Sequence, residues 1–95
     1  MWRIEEHRRV DRQLSSVPRD VLKRYGKWQD IASISGPAGL RRITGFRDEA
    51  LAGQWLGFRS SRLNLQYRVI YRVSESQQLI RVESVTAHDY RRTGR

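Results

Sequence analysis

"RSSRLNLQYRVIYRV", residues 59–73, is the stretch whose reading decides the fold. Within it "QYRVIYRV" alternates strictly: Tyr67, Val69, Tyr71 and Val73 fall on one side of a strand and Arg68 and Arg72 on the other, because strand side chains point alternately to opposite faces. "FRSSRL" reads as the strand before it, with the polar residues around Asn64 turning the chain. If that turn is three residues long, Leu63 faces Tyr67 on the packed side and Arg62 lies across from Arg68 on the other. Like charges directly opposite destabilise a sheet, so such a pair suits a place where an anion sits between them. The competing reading is a solvated face whose charges serve solubility. Arg59 has the opposite parity, and Ser60 and Ser61 either add hydroxyl donors or merely begin the strand.

Downstream, "SESQQ" makes a turn and "LIRVESVTAHDY" a last strand whose alternation slips near Ser84. Upstream, Trp2 and Ile4 alternate with charged residues in a short first strand. From Arg8, the spacing of Val10, Leu14 and Val17 predicts one helix; Pro18 restarts the count, and Val21, Tyr25, Trp28 and Ile31 form a second apolar stripe that Gly36 and Pro37 end. Joined by so short a link, the helices form an antiparallel hairpin over a common sheet. The segment "GPAGLRRITGFRDEALAGQWLG" carries five glycines in 22 residues and reads as loop, with at most a short strand at Leu40–Thr44. The predicted fold is α+β: a short N-terminal strand, a helical hairpin, then a three- to four-stranded antiparallel sheet. It is a single domain over residues 1–92 with a frayed tail at 93–95.

A net charge of +9 and a pI near 11.2 favour a polyanionic partner, with nucleic acid the leading class. Seventeen of the 19 basic residues are Arg, whose planar fork suits bidentate phosphate contact. Codon composition explains such a ratio equally well, but not the net charge. The absence of cysteine excludes disulfides and thiolate metal sites. No apolar run of about 18 residues or secretory leader is present, so the expected location is cytoplasmic. No Gly-rich phosphate loop, metal-spaced His pair or helix-turn-helix appears, which implies a mechanism without metal or other cofactor.

"HDYRR", His88 to Arg92, follows the last strand. His titrates near neutrality and suits general acid or base work; Tyr90 offers a ring to stack on a base and a phenolic proton. Taken alone, His88 reads as a surface residue, and His7 as structural or exposed. Asp48 and Glu49 lie among Arg41, Arg42 and Arg47 and read as surface ion-pair partners, with Glu49 in reserve as a base toward a ribose hydroxyl. Trp28 belongs to the core stripe, whereas Trp55 in the Gly-rich segment is free to meet a partner. RNA cleavage needs no metal, because its own 2′-OH attacks once a base removes the proton, cations stabilise the transition state and an acid protonates the leaving oxygen. Arg62, Arg68, His88 and Tyr90 contain these chemical types.

The element order, "QYRVIYRV" and the terminal "VTAHDYRR" resemble the RelE/ParE superfamily of bacterial toxins over residues 8–92. The resemblance implies the toxin of a type II toxin–antitoxin pair that enters the ribosomal A site, against 16S rRNA, and cuts mRNA there. It maps the family's strand arginine onto Arg68, the basic residue of the preceding strand onto Arg62 or Arg59, and the terminal His and Tyr onto His88 and Tyr90. Arg41, Arg42, Ser61, Arg91 and Arg92 then become RNA- or ribosome-binding residues beside Arg59. The lysine pair of some RelE proteins has no counterpart, so the general base is His88, with Asp89 or Glu49 behind it. A cognate antitoxin in a hetero-oligomer is the implied protein partner. The ParE branch, which inhibits DNA gyrase without a nuclease site, is the rival reading, and a non-catalytic RNA-binding protein is a second.

Overall fold

The computed structural model describes residues 1–87, running β1 (Arg3–Glu6), α1 (Arg9–Leu14), α2 (Arg19–Arg42), β2 (Glu49–Ala50), β3 (Arg59–Arg62), β4 (Arg68–Ser74) and β5 (Leu79–Thr86). The fold is α+β as expected, but the sheet is five-stranded and mixed, in the order β1-β5-β4-β3-β2. β1 pairs in parallel with β5, whereas the other pairs are antiparallel. Two helices separate β1 from the other strands, and a helical crossover permits the parallel pairing that a tight hairpin cannot make. No helix among the described residues is long and apolar enough to cross a membrane.

One face of the sheet carries both helices. Val10 of α1 and Val21, Tyr25, Trp28 and Ala32 of α2 are fully or almost fully buried against Val69, Tyr71, Ile80, Val82 and Val85, each large side chain contributing roughly 1.5–3 kcal/mol. Trp28 is the centre: its ring stacks 5.8 Å from Tyr25 and meets Tyr71 edge-on at 5.3 Å. α1 is shorter than its apolar spacing predicts. The hydroxyls of Ser15 and Ser16 hydrogen-bond back to the carbonyls of Arg12 and Gln13, offering the backbone an alternative to further helix.

The second helix does not stop at Gly36. Gly36 adopts φ 66°, ψ −164°, kinking α2, and helical geometry resumes to Arg42. Pro37 opens the new turn, where its missing N–H is no loss. The expected strand at Leu40–Thr44 is thus helix followed by a 3-10 turn at Thr44–Phe46, and the extra edge strand is β2. A Cβ on Gly36 would lie 2.3 Å from Nε1 of Trp2, so dihedral and space both require glycine. Gly36→Ala is expected to cost about 2–4 kcal/mol, read as a thermal midpoint lowered on the order of 15 °C.

The β3–β4 turn matches its predicted length: Leu63 N–H donates to the Tyr67 carbonyl at 2.8 Å, and Asn64 Oδ1 accepts from the N–H groups of Gln66 and Tyr67. Arg62 therefore stands opposite Arg68. The slip near Ser84 is a bulge, since Ile70 pairs with Ser84 and Tyr71 with Val82, leaving Glu83 unopposed. Gln13 of α1 satisfies it, accepting from Val85 N–H at 2.7 Å and donating to Ser84 Oγ at 3.3 Å.

Candidate nucleic-acid interface

Strand parity sorts the polar residues of the sheet between its two faces. With Val69 and Tyr71 turned to the helices, the opposite face receives Arg68 and Arg72 of β4, Ser60 and Arg62 of β3, Glu49 of β2 and Arg81 of β5. Arg68 is 7% exposed; its Nη1 donates to Ser60 Oγ at 3.2 Å and lies 3.7 Å from Glu49 Oε2. Arg62, across the ladder, is half-buried, and its Nε is shielded from solvent with no hydrogen-bond acceptor among the described residues. A buried donor without a partner costs about 1–3 kcal/mol, and a second guanidinium opposite adds repulsion. Both costs fall away when an anion bridges the two side chains.

The other expected residues divide. Arg59 and Ser61 point to the helix face, where Asp48 accepts from Arg59 Nε at 2.7 Å, from Ser61 Oγ at 2.6 Å and from the Tyr71 hydroxyl. The Asp48 carboxylate is fully buried, which overturns its reading as a surface ion-pair residue and commits Arg59 and Ser61 on the side away from Arg62. Ser60, rather than Ser61, is the hydroxyl beside Arg68. Glu49, the reserve base, keeps its reading as a surface ion-pair partner: its side chain is 40% exposed and lies 3.7 Å from Arg68. Arg41 and Arg42 are exposed at the end of α2, in the helix layer. Trp55 is half-buried and packs edge-on against Phe58 at 5.3 Å, so it is not the open contact the glycines suggest. His7 is a local brace, its Nδ1 accepting from the backbone N–H of Arg9. His88, Asp89, Tyr90, Arg91 and Arg92 lie outside the described residues.

Burial, reinforced by the charge of Asp48 and only partly offset by Arg59, pushes the Tyr71 phenol far above its ordinary value. Burial and a hydrogen bond to Glu6 do the same for Tyr25. An acid whose folded pKa is raised keeps its proton after the unfolded chain has lost it. Stability is therefore full below pH 10, the ordinary tyrosine value, and falls as pH rises beyond it. Thermal melts across that range should show the decline, and a Tyr25→Phe/Tyr71→Phe double variant should flatten it.

Among solved structures, the chain is similar to the archaeal RelE of a RelE–RelB complex from Pyrococcus horikoshii OT3, at 25% identity over 97% of both chains with a TM-score of 0.73. It is also similar to the Staphylococcus aureus YoeB–YefM complex, at 16% identity over 94% of this chain and 99% of the other with a TM-score of 0.70. YafQ from E. coli gives 18% identity over 93% and 94%, with a TM-score of 0.62. No sequence-family model and no curated protein matches the chain. The comparison rests on the whole architecture of strand, helix pair and mixed sheet, and in that architecture the chain is a protein of the RelE/ParE toxin fold.

Proposed function

We propose that this protein is the toxin of a type II toxin–antitoxin pair and acts as a ribosome-dependent mRNA endoribonuclease. In this reading the messenger's 2′-OH attacks the adjacent phosphate, and Arg62 and Arg68 bind that phosphate and offset the charge of its transition state. His88 transfers a proton, and Tyr90 stacks on a base or protonates the leaving oxygen. The observation that carries the reading is the half-buried Arg62, whose shielded Nε has no acceptor among the described residues, facing Arg68 across the β3–β4 ladder, where a bound anion would relieve the repulsion between like charges. Thr86, which pairs with Arg68, precedes His88 by two residues in the chain, which supports one shared site. Solved structures of RelE with RelB and YoeB with YefM support a cognate antitoxin as the protein partner.

Primer extension on cellular mRNA after induction tests the reading. New cut ends within translated messages are expected, and they should vanish in His88→Ala. Intact messenger with double-strand DNA breaks would replace it with gyrase inhibition, and footprints on RNA without cut ends with simple binding.

A further inference from the structure

A second pair of facing arginines lies on the same face of the sheet: Arg72 of β4 stands opposite Arg81 of β5. With Ser74 and Gln77 they line a cleft of about 290 Å³ at the β4–β5 turn, its remaining wall formed by Val73 and Leu79. That is far more room than one bound water needs, roughly 15 Å³. The Arg72 guanidinium lies over the Phe58 ring, 5.5 Å from its centroid. Such stacking fixes one face of the planar fork and leaves its N–H edges free to donate. Among the described residues no carboxylate pairs with Arg72. Arg81 is 3.3 Å from Glu5, which Arg3 shares at 3.6 Å, so two guanidiniums divide that one carboxylate.

Arg68 and Arg72 are four residues apart on one strand face, a separation of about 13 Å. Arg68 and Arg72 therefore set the two arginine pairs one after the other along β4, with Arg62 flanking it on β3 and Arg81 on β5. A row of cations on one strand fits a polymer that repeats its charge along its length, and the Ser74 hydroxyl and Gln77 amide supply the neutral donors that commonly contact phosphate. We propose that the Arg72–Arg81 cleft binds a phosphodiester of single-stranded RNA, a second backbone anchor about 13 Å from the Arg62–Arg68 pair that fixes the path of the strand across the sheet. The proposal rests on the reading above only in taking RNA as the ligand, and it needs no cleavage.

The test is fluorescence anisotropy with a labelled, fully 2′-O-methylated RNA oligonucleotide, which has no nucleophile to cleave it, across a salt series. Arg72→Gln is expected to weaken binding about fivefold at 0.1 M salt, to make the log–log salt slope shallower by about 0.7, and to do so alike for different sequences. Because Arg72 faces Arg81 at a cost, its thermal midpoint should stay or rise. Arg72→Lys, which keeps the charge, should retain most of the affinity. Unchanged affinity and slope in Arg72→Gln, alongside weakened binding in Arg62→Gln, would overturn the second anchor and leave the first site standing. Equal losses in the Gln and Lys variants with a lowered melting point would mark a folding defect and overturn it as well. No binding of this RNA by the unmodified protein would overturn the second anchor, while primer extension on cellular mRNA decides the cleavage reading separately.

Discussion

Arg62→Ala is expected to abolish growth arrest and to lower single-turnover cleavage of mRNA on programmed ribosomes by about 10²–10³-fold, the scale on which removing one charge-stabilising donor acts. The same variant should melt no lower than the parent. Arg62 faces Arg68 and holds a buried Nε without an acceptor, so truncation relieves repulsion and an unmet donor while giving up only the packing of an aliphatic stem. Activity and stability thus move independently, as expected of a group placed for a ligand rather than for the fold. Arg62→Lys should recover only part of the rate, because an ammonium is a point charge where a guanidinium is a fork. Arg68→Ala is the less clean experiment: Arg68 is buried against Ser60 and Glu49, and its loss strands both. Full cleavage by Arg62→Ala would remove the phosphate role from this pair.

The parts of this architecture that follow from local periodicity were open to reading from the residues. Period-2 alternation in Tyr67–Val73 and a three-residue turn at Asn64 were enough to set Arg62 against Arg68, because register in a hairpin is fixed by turn length. The Val21, Tyr25, Trp28 stripe placed the second helix. What escaped was decided by long-range contact. Gly36 and Pro37 look like a helix stop, and only Trp2, brought alongside through β1, shows why the chain kinks and continues there. Phe46, fully buried with Arg24 over its ring at 4.4 Å, sits in a segment with no period at all. Asp48 was misassigned because a carboxylate among arginines resembles a surface pair. The available signal was parity: Arg59, Ser61 and Tyr71 share one face of adjacent strands, and a half-buried Arg on the core face calls for a nearby acid. The terminal His and Tyr, read from type and order, lie outside the described residues.

Asp48→Ala is expected to be the most destabilising single change among the polar residues, costing about 3–5 kcal/mol, because its loss leaves two buried hydroxyls and one half-buried cation without their acceptor. On a domain of this size that lowers the thermal midpoint on the order of 20 °C. The carboxylate is fully buried and accepts from Arg59, Ser61 and Tyr71 at once, so its loss leaves one cation and two hydroxyls unpaired. Asp48→Asn keeps the shape and one acceptor and should cost about 1–3 kcal/mol. A cycle with Arg59→Met isolates the ionic part: if Arg59 is the chief burden in Asp48→Ala, the double variant should be more stable than that single one. The consequence reaches the other face of the sheet. Asp48 and Glu49 are consecutive, with Asp48 tied to the helix side and Glu49 reaching Arg68 on the far side. Releasing Asp48 therefore frees the strand that positions Glu49, and through it Arg68. RNA cleavage by Asp48→Asn, measured well below its melting point, should fall more than the lost folded fraction explains, whereas activity in proportion to folded protein would confine Asp48 to holding the sheet together.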